Sequence, residues 1–263
     1  MGRPLADPEA DAASLQQAEL MDRIAAQLDA GERQEAEAAL ARAMAEGLDH
    51  PRAYLLRGRL AASGGAAADL AAALPWFVKA SEASPRWPEP RVLLAAAYLE
   101  LDRLASAEAA YRAIDEIFPH HPAGPFGQAL VALRRQRHDQ ALTLIQEALE
   151  RDDQMPEALA LRARLARQAG DRATERRFWE RYLAQVPTDA SVYARLGELL
   201  IDDGRPESGR RSLERSYALR PDRGIALRLA DLARDRGDEA AAARWQARAD
   251  GPSAASIQGA TEP

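Results

Sequence analysis

Residues 193–221 read YARLGELLIDDGRPESGRRSLERSYALRP. Two small residues, Gly197 and Gly209, stand on either side of Gly204, a bulky Leu213 follows the second of them by four positions, and Pro221 closes the stretch. Helices approach closely only where side chains are small. A glycine just past a helix end takes the left-handed cap, and a proline stops a helix. The stretch therefore predicts two antiparallel helices joined by a tight turn.

Moving outward, the same spacing recurs every 34 residues. Pro85, Pro119, Pro187 and Pro221 share one grid, and its empty slot, Asp153, is followed by Pro156. Ala73, Ala107, Ala141, Gly209 and Ala243 share a second, with Glu175 as the exception; Phe77, Tyr111, Ile145, Trp179 and Leu213 each follow four positions later. Gly58, Ala95, Ala129, Ala163 and Gly197 form a third, and Gly31, Gly65, Gly170 and Gly204 occupy the turn. Agreement among these registers implies one helix pair per unit, small residues at the crossings and a large one between neighbouring units.

These residues carry a resemblance. Tyr193-x2-Leu196-Gly197, Gly209-x3-Leu213 and Pro221 resemble the motif of the tetratricopeptide repeat family, as do Tyr98, Ala107, Tyr111 and Pro119, and Tyr54, Gly58, Ala73, Phe77, Ala80 and Pro85. The resemblance implies an all-α, right-handed superhelical solenoid of about seven units, the first and last degenerate. Ile24 stands at a crossing position in the first unit, and Asp231 and Arg234 stand where other units are apolar. The interval from Gly58 to Ala73 is three residues longer than its equivalents, which predicts a lengthened turn or an extended helix start at residues 64–68. Residues 1–15 and 251–263 lack periodicity and are expected to be disordered tails around a repeat domain at 16–250.

Composition excludes much. The 263 residues include no cysteine, so disulfides, thiolate metal sites and cysteine nucleophiles are absent. A bias of 60 alanines and 34 arginines against one lysine, Lys79, and no asparagine fits a GC-rich bacterial source. With no basic, apolar leader at the start and no long apolar run, the chain reads as cytoplasmic and without membrane insertion. A net charge of -6 argues against nucleic acid as the partner.

Catalytic patterns are missing: there is no phosphate-binding glycine loop, no nucleophile elbow and no His-Glu-x-x-His. No catalytic residue, metal or cofactor is expected. His120 and His121, with Asp115, Glu116 and His138 in the vicinity, match no metal-ligand spacing and read as an inter-repeat loop. Arg134, Arg135, Arg137 and His138, then Arg176-Arg177 and Arg210-Arg211, read as helix-end or solvated charges, without the aromatic interleaving of a single-strand binder. Of Trp76, Trp87, Trp179 and Trp245, Trp179 belongs to the packing grid; Trp87, at a junction, reads as cover over a turn or as an interface anchor.

The family resemblance places the working surface on the first helix of each unit, facing a concave groove. It implicates Arg52, Leu55 and Arg59; Val92, Ala96 and Leu99; Phe126, Leu130 and Leu133; Ala160, Arg164 and Arg167; and Ala194, Glu198 and Ile201. An apolar centre between arginines suits a protein or peptide segment with apolar anchors and acidic flanks. A second reading has the apolar members packing against an adjacent helix. The two-carboxylate clamp of lysine and asparagine that some family members use is ruled out by the composition. The first expectation is a non-catalytic adaptor in a bacterial complex. The alternatives are a regulatory or substrate-presenting subunit of an enzyme on another chain and, third, nucleic-acid binding by the arginine-rich helices. Self-association through the open ends of the array stays open.

Overall fold

Each turn of the repeat closes on a residue in the left-handed backbone region. Gly31, Gly65, Gly170, Gly204 and Gly237 lie at φ between 72° and 82°. The same place is held by Asp102 (φ 55°) and Gln136 (φ 61°), 68 and 34 positions before Gly170. At the fifth turn the Gly170 N–H bonds the Arg167 carbonyl at 3.1 Å and the Asp171 N–H bonds the Ala166 carbonyl at 2.9 Å, satisfying helix-end carbonyls.

In this computed structural model the backbone is described for residues 8–251 and the side chains for 15–251. Among the described residues there are fourteen helices and no strand, paired in sequence. The pairs are α1 (Pro8–Asp29) with α2 (Arg33–Ala45), α3 (Pro51–Ala62) with α4 (Ala67–Ala83), α5 (Pro88–Glu100) with α6 (Leu104–Ile117) and α7 (Ala123–Arg134) with α8 (His138–Arg151). They continue with α9 (Pro156–Gln168) and α10 (Arg172–Gln185), α11 (Ala190–Asp202) and α12 (Pro206–Leu219), and α13 (Arg223–Asp235) and α14 (Glu239–Asp250). The chain divides into two compact units, Met1–Arg151 holding the first four pairs and Asp152–Pro263 holding the last three. The architecture is all-α, with helix pairs stacked in sequence within each unit. The first helix begins at Pro8, so residues 8–15 are helical where a disordered tail was expected; residues 1–7 and 252–263 lie outside the described residues.

The small-residue grids are buried at the crossings. Ala73, Ala95, Ala107, Ala129, Ala141 and Ala163 are wholly covered, and Phe77, Tyr111, Ile145, Trp179 and Leu213 are buried as well. Ile24 is also wholly buried, so the first unit keeps a core while departing from the pattern. The three extra residues enter a helix: α4 has 17 residues where α6, α8, α10 and α12 have 14. Its start is capped by the Asp69 carboxylate, which accepts the Ala66 N–H at 3.3 Å.

The last pair is in a different register from the one its proline implies. Asp189 caps α11 two residues after Pro187, whereas Asp222 caps α13 one residue after Pro221. That single deletion moves Ala230, Leu232 and Ala233 onto the buried side and Ala242, not Ala243, into the crossing. Asp231 and Arg234, expected at apolar positions, are exposed and paired with each other.

Candidate partner-binding face

In the first unit the arginines of α3 are already neutralised. Arg52 pairs with Asp22 of α1, and Arg59 Nη2 lies 2.6 Å from Asp29 Oδ1 of the same helix. Leu55, between them, is buried against Tyr54, Phe77 and Leu74. Leu99, expected on the binding face, is 4% exposed and sits in the core with Ala95, Ala107 and Tyr111. The reason is its place in the last turn of α5, where Arg134 of α7 closes over it by donating to the Leu99 carbonyl at 3.3 Å and to Glu100 Oε1 at 3.4 Å. That leaves Val92 and Ala96 on α5 and Phe126, Leu130 and Leu133 on α7 half-buried. Val92 and Leu130 also lean on the core below them, as the second reading of these positions has it.

In the second unit the charges sort differently. Arg164 and Arg167, one turn apart on α9, are exposed, and among the described residues neither has a carboxylate within 4.0 Å. Ala160 and Ala194 are half-buried. Glu198 of α11 accepts Arg228 of α13 at 3.1 Å, which raises the proton affinity of Arg228 chiefly through that hydrogen bond. Ile201 packs on the cluster of Leu213, Leu229 and Leu232.

A buried charge was visible in the sequence only as an exception. Glu175 fills the small-residue slot of α10 and is 1% exposed. It accepts Arg195 Nε and Nη2 of α11, both at 2.7 Å, and Trp179 Nε1 at 3.2 Å. Burial raises its pKa, but the hydrogen bonds from Arg195 and Trp179 prevail and hold it below the ordinary carboxylate value. Its neighbour along the helix, Phe178, is ringed by Arg162, Arg177 and Arg181.

Two of the four histidines act as caps. His121 Nδ1 accepts the Ala123 N–H at 3.2 Å, and His50 Nδ1 accepts the Arg52 N–H at 3.1 Å, each two residues ahead, the geometry of Asp189 with the Ser191 N–H at 3.0 Å. Burial lowers the pKa of His121, which suits the acceptor role. His120 and His138 are exposed, and among the described residues no three His, Asp or Glu side chains converge on a metal position. Of the basic stretch, Arg134 and Arg135 pair with Glu100 and Glu108, and Arg176 and Arg210 are likewise paired with acids. Trp179 is core; Trp87 packs against the Tyr54–Phe77 cluster; Trp76 lies 6.4 Å from Tyr54 and Trp245 5.2 Å from Tyr217, between ring centroids. No helix among the described residues is long and apolar enough to cross a membrane.

Comparison with known proteins bears on the fold. Residues 194–257 match the model of the tetratricopeptide repeat, and residues 93–193, three repeat lengths, match that of the coatomer epsilon subunit. No curated protein matches the chain. Among solved structures, the APC/C hetero-tetramer Cut9-Hcn1 aligns at 14% identity with a TM-score of 0.57, over 86% of this chain and 44% of that one, so the present chain spans under half its length. A tetratricopeptide repeat protein from Parabacteroides merdae aligns at 19% identity and 0.50, over 92% and 96% of the two chains. MamA of AMB-1 aligns at 14% and 0.51, over 65% and 96%. At these identities the likeness concerns the helix-pair fold alone.

Proposed function

We propose that the chain, whose residues 194–257 match the tetratricopeptide-repeat model, is a non-catalytic adaptor that holds a segment of a partner protein on its first-helix faces. The observation that carries the reading is the row Val92, Ala96, Phe126, Leu130 and Leu133, apolar side chains left half-buried on α5 and α7 after the core is complete. An apolar row of this kind stabilises a complex by accepting the anchors of an extended or helical segment. Taken by itself, the second unit presents Arg164 and Arg167, two exposed guanidiniums with unused donors, which favour acidic groups in whatever it holds. Arg52 and Arg59 belong to the fold instead, since Asp22 and Asp29 already occupy them. That Cut9-Hcn1 is an assembly of unlike chains supports the general mode, without transferring its partner.

The test is capture of partners from the source organism by the full chain and by a Phe126→Ala, Leu130→Ala, Arg164→Ala variant whose helicity by circular dichroism equals the wild type's. Selective loss of one captured protein is expected. An unchanged captured set sinks the proposal. A companion variant, Arg52→Ala with Arg59→Ala, is expected to capture the same proteins as the wild type.

A further inference from the structure

Phe178 of α10 is 3% exposed, and three arginines stand around its ring. The guanidinium carbons of Arg162 from α9 and of Arg177 and Arg181 from α10 lie 5.4, 5.1 and 5.5 Å from its ring centroid. All three are within the range of cation–π attraction. A benzene ring has only two faces of negative potential, so a third cation gains little from it while repelling the other two.

The three arginines are unevenly compensated. Arg181 Nη2 donates to the Asp153 carbonyl at 2.5 Å, and the Asp153 carboxylate lies 3.9 Å from the same nitrogen. Among the described residues Arg162 and Arg177 have no hydrogen-bond acceptor and no carboxylate within salt-bridge reach. Asp171 acts on both of them at a distance, but its carboxylate is engaged with the Thr174 N–H at 3.0 Å. Partial burial lowers the proton affinity of Arg162, Asp171 raises it and Arg177 lowers it again. Burial and crowding of cations meet here around unused N–H donors.

A tetrahedral oxyanion complements this arrangement. A phosphate monoester brings a charge between about -1.5 and -2 near neutral pH, which answers the two guanidiniums that have no acid of their own, with oxygens to spare for Arg181 beside them. A carboxylate brings two oxygens and one charge, and leaves one arginine unanswered. We propose that Arg162, Arg177 and Arg181 around Phe178 form a binding site for a phosphate monoester carried on a side chain of a partner protein. The site is separate from the first-helix face, because Arg164, two residues along from Arg162, falls on the opposite side of α9.

The experiment titrates the full chain with inorganic phosphate, then with a capped Gly-phosphoserine-Gly tripeptide and its unphosphorylated form, following arginine side-chain N–H resonances. Phosphate and the phosphorylated tripeptide are expected to saturate the chain and to shift the same arginines, while the unphosphorylated tripeptide does not bind. Arg177→Gln, at an exposed position, and Arg162→Gln are each expected to weaken binding roughly tenfold or more, the size of one lost charged hydrogen bond. Arg164→Gln binds as the wild type. Failure to saturate, full affinity in Arg177→Gln, or an equal loss in Arg164→Gln overturns the site. A single-stranded oligonucleotide that binds more tightly than the phosphorylated tripeptide, with a steep salt dependence, overturns the assignment to a phosphoprotein.

Discussion

Two neighbouring helix pairs of the second unit solve the same crossing with opposite chemistry. Where α11 meets α12, Gly197 and Gly209 face each other so closely that a β-carbon on Gly209 would stand 2.6 Å from the Gly197 carbonyl oxygen and 2.5 Å from Ile201. Where α9 meets α10, Ala163 keeps the small residue on one side, but Glu175 replaces it on the other. The first crossing is tight because nothing intervenes. The second holds a carboxylate out of water and answers it with Arg195, a residue of the next pair. The pattern thus sets a spatial requirement that a small side chain meets locally and a charged one meets only by tying two repeats together.

The largest effect is expected from breaking that tie on the arginine side. Arg195→Met leaves Glu175 buried with only the Trp179 N–H for a partner, and removal of one member of a buried pair costs about 3 kcal/mol or more. Urea denaturation measures it. The double variant Glu175→Ala, Arg195→Met removes both charges and restores the grid alanine, so its stability is expected to lie within about 1 kcal/mol of the wild type. If the double variant is as unstable as the single one, the pair is not what holds α10 to α11.

Next in size is Gly209→Ala. The added methyl meets the Gly197 backbone and the Ile201 side chain, of which only the second can move aside, and overpacking of this kind costs about 2 kcal/mol. Gly58→Ala is the milder control, since its β-carbon would meet only the Phe77 ring, at 2.5 Å. Equal losses from the two substitutions would mean that backbone approach does not distinguish the α11–α12 crossing.

Acid sharpens the same contrast. Because the folded pKa of Glu175 is depressed, its contribution is present in full above the unfolded value of about 4.3 and is lost as pH falls below that toward the folded value. Glu175→Gln is therefore expected to be less stable than the wild type by a constant amount from pH 7 down to about 4.3, with the gap closing below that. A gap that widens on acidification would mean that the carboxylate is destabilised by folding.

These crossings also show what the 34-residue grids convey. A crossing restricts side-chain size at fixed intervals, so the positions of Ala95, Ala129, Gly197 and Leu213 were readable, as was Glu175 as an exception. Its partner was not, because nothing in a size rule says which cation reaches a buried acid. The reading of the candidate binding face suffered from the same blindness. Arg52 and Asp22, Arg59 and Asp29, and Arg228 and Glu198 pair at separations of 30 residues, close to one repeat. Opposite charges one period apart on first helices are a signal that the arginines are spoken for, and it separates Arg52 and Arg59 from Arg164 and Arg167. Leu99 looked exposed because its slot in other units holds Leu133 or Arg167; Arg134 folding back over it makes the difference. The last unit misled for another reason. Pro221 stays on the grid while the deletion comes just after it, so a proline-based register assigned Asp231 to a position that Ala230 fills.

The smallest expected effect lies at the turns. Gly170 and Gly204 close the two compared pairs at no steric cost, while Gln136 closes the preceding pair at φ 61° with a side chain that clashes in that conformation. Holding a non-glycine residue there costs about 1–2 kcal/mol, and glycine gives part of this back through its larger loss of freedom on folding. Gln136→Gly is therefore expected to stabilise the chain by about 0.5–1 kcal/mol. Asp102→Gly is expected to gain less, because aspartate visits the left-handed region more readily. Gly170→Ala, the reverse experiment on the α9–α10 turn, is expected to lose about 1 kcal/mol, since open space surrounds the added methyl and only the backbone conformation is strained. If Gln136→Gly is neutral while Gly170→Ala is costly, the Gln136 side chain contributes a compensating contact in the turn, and the two kinds of turn are not equivalent.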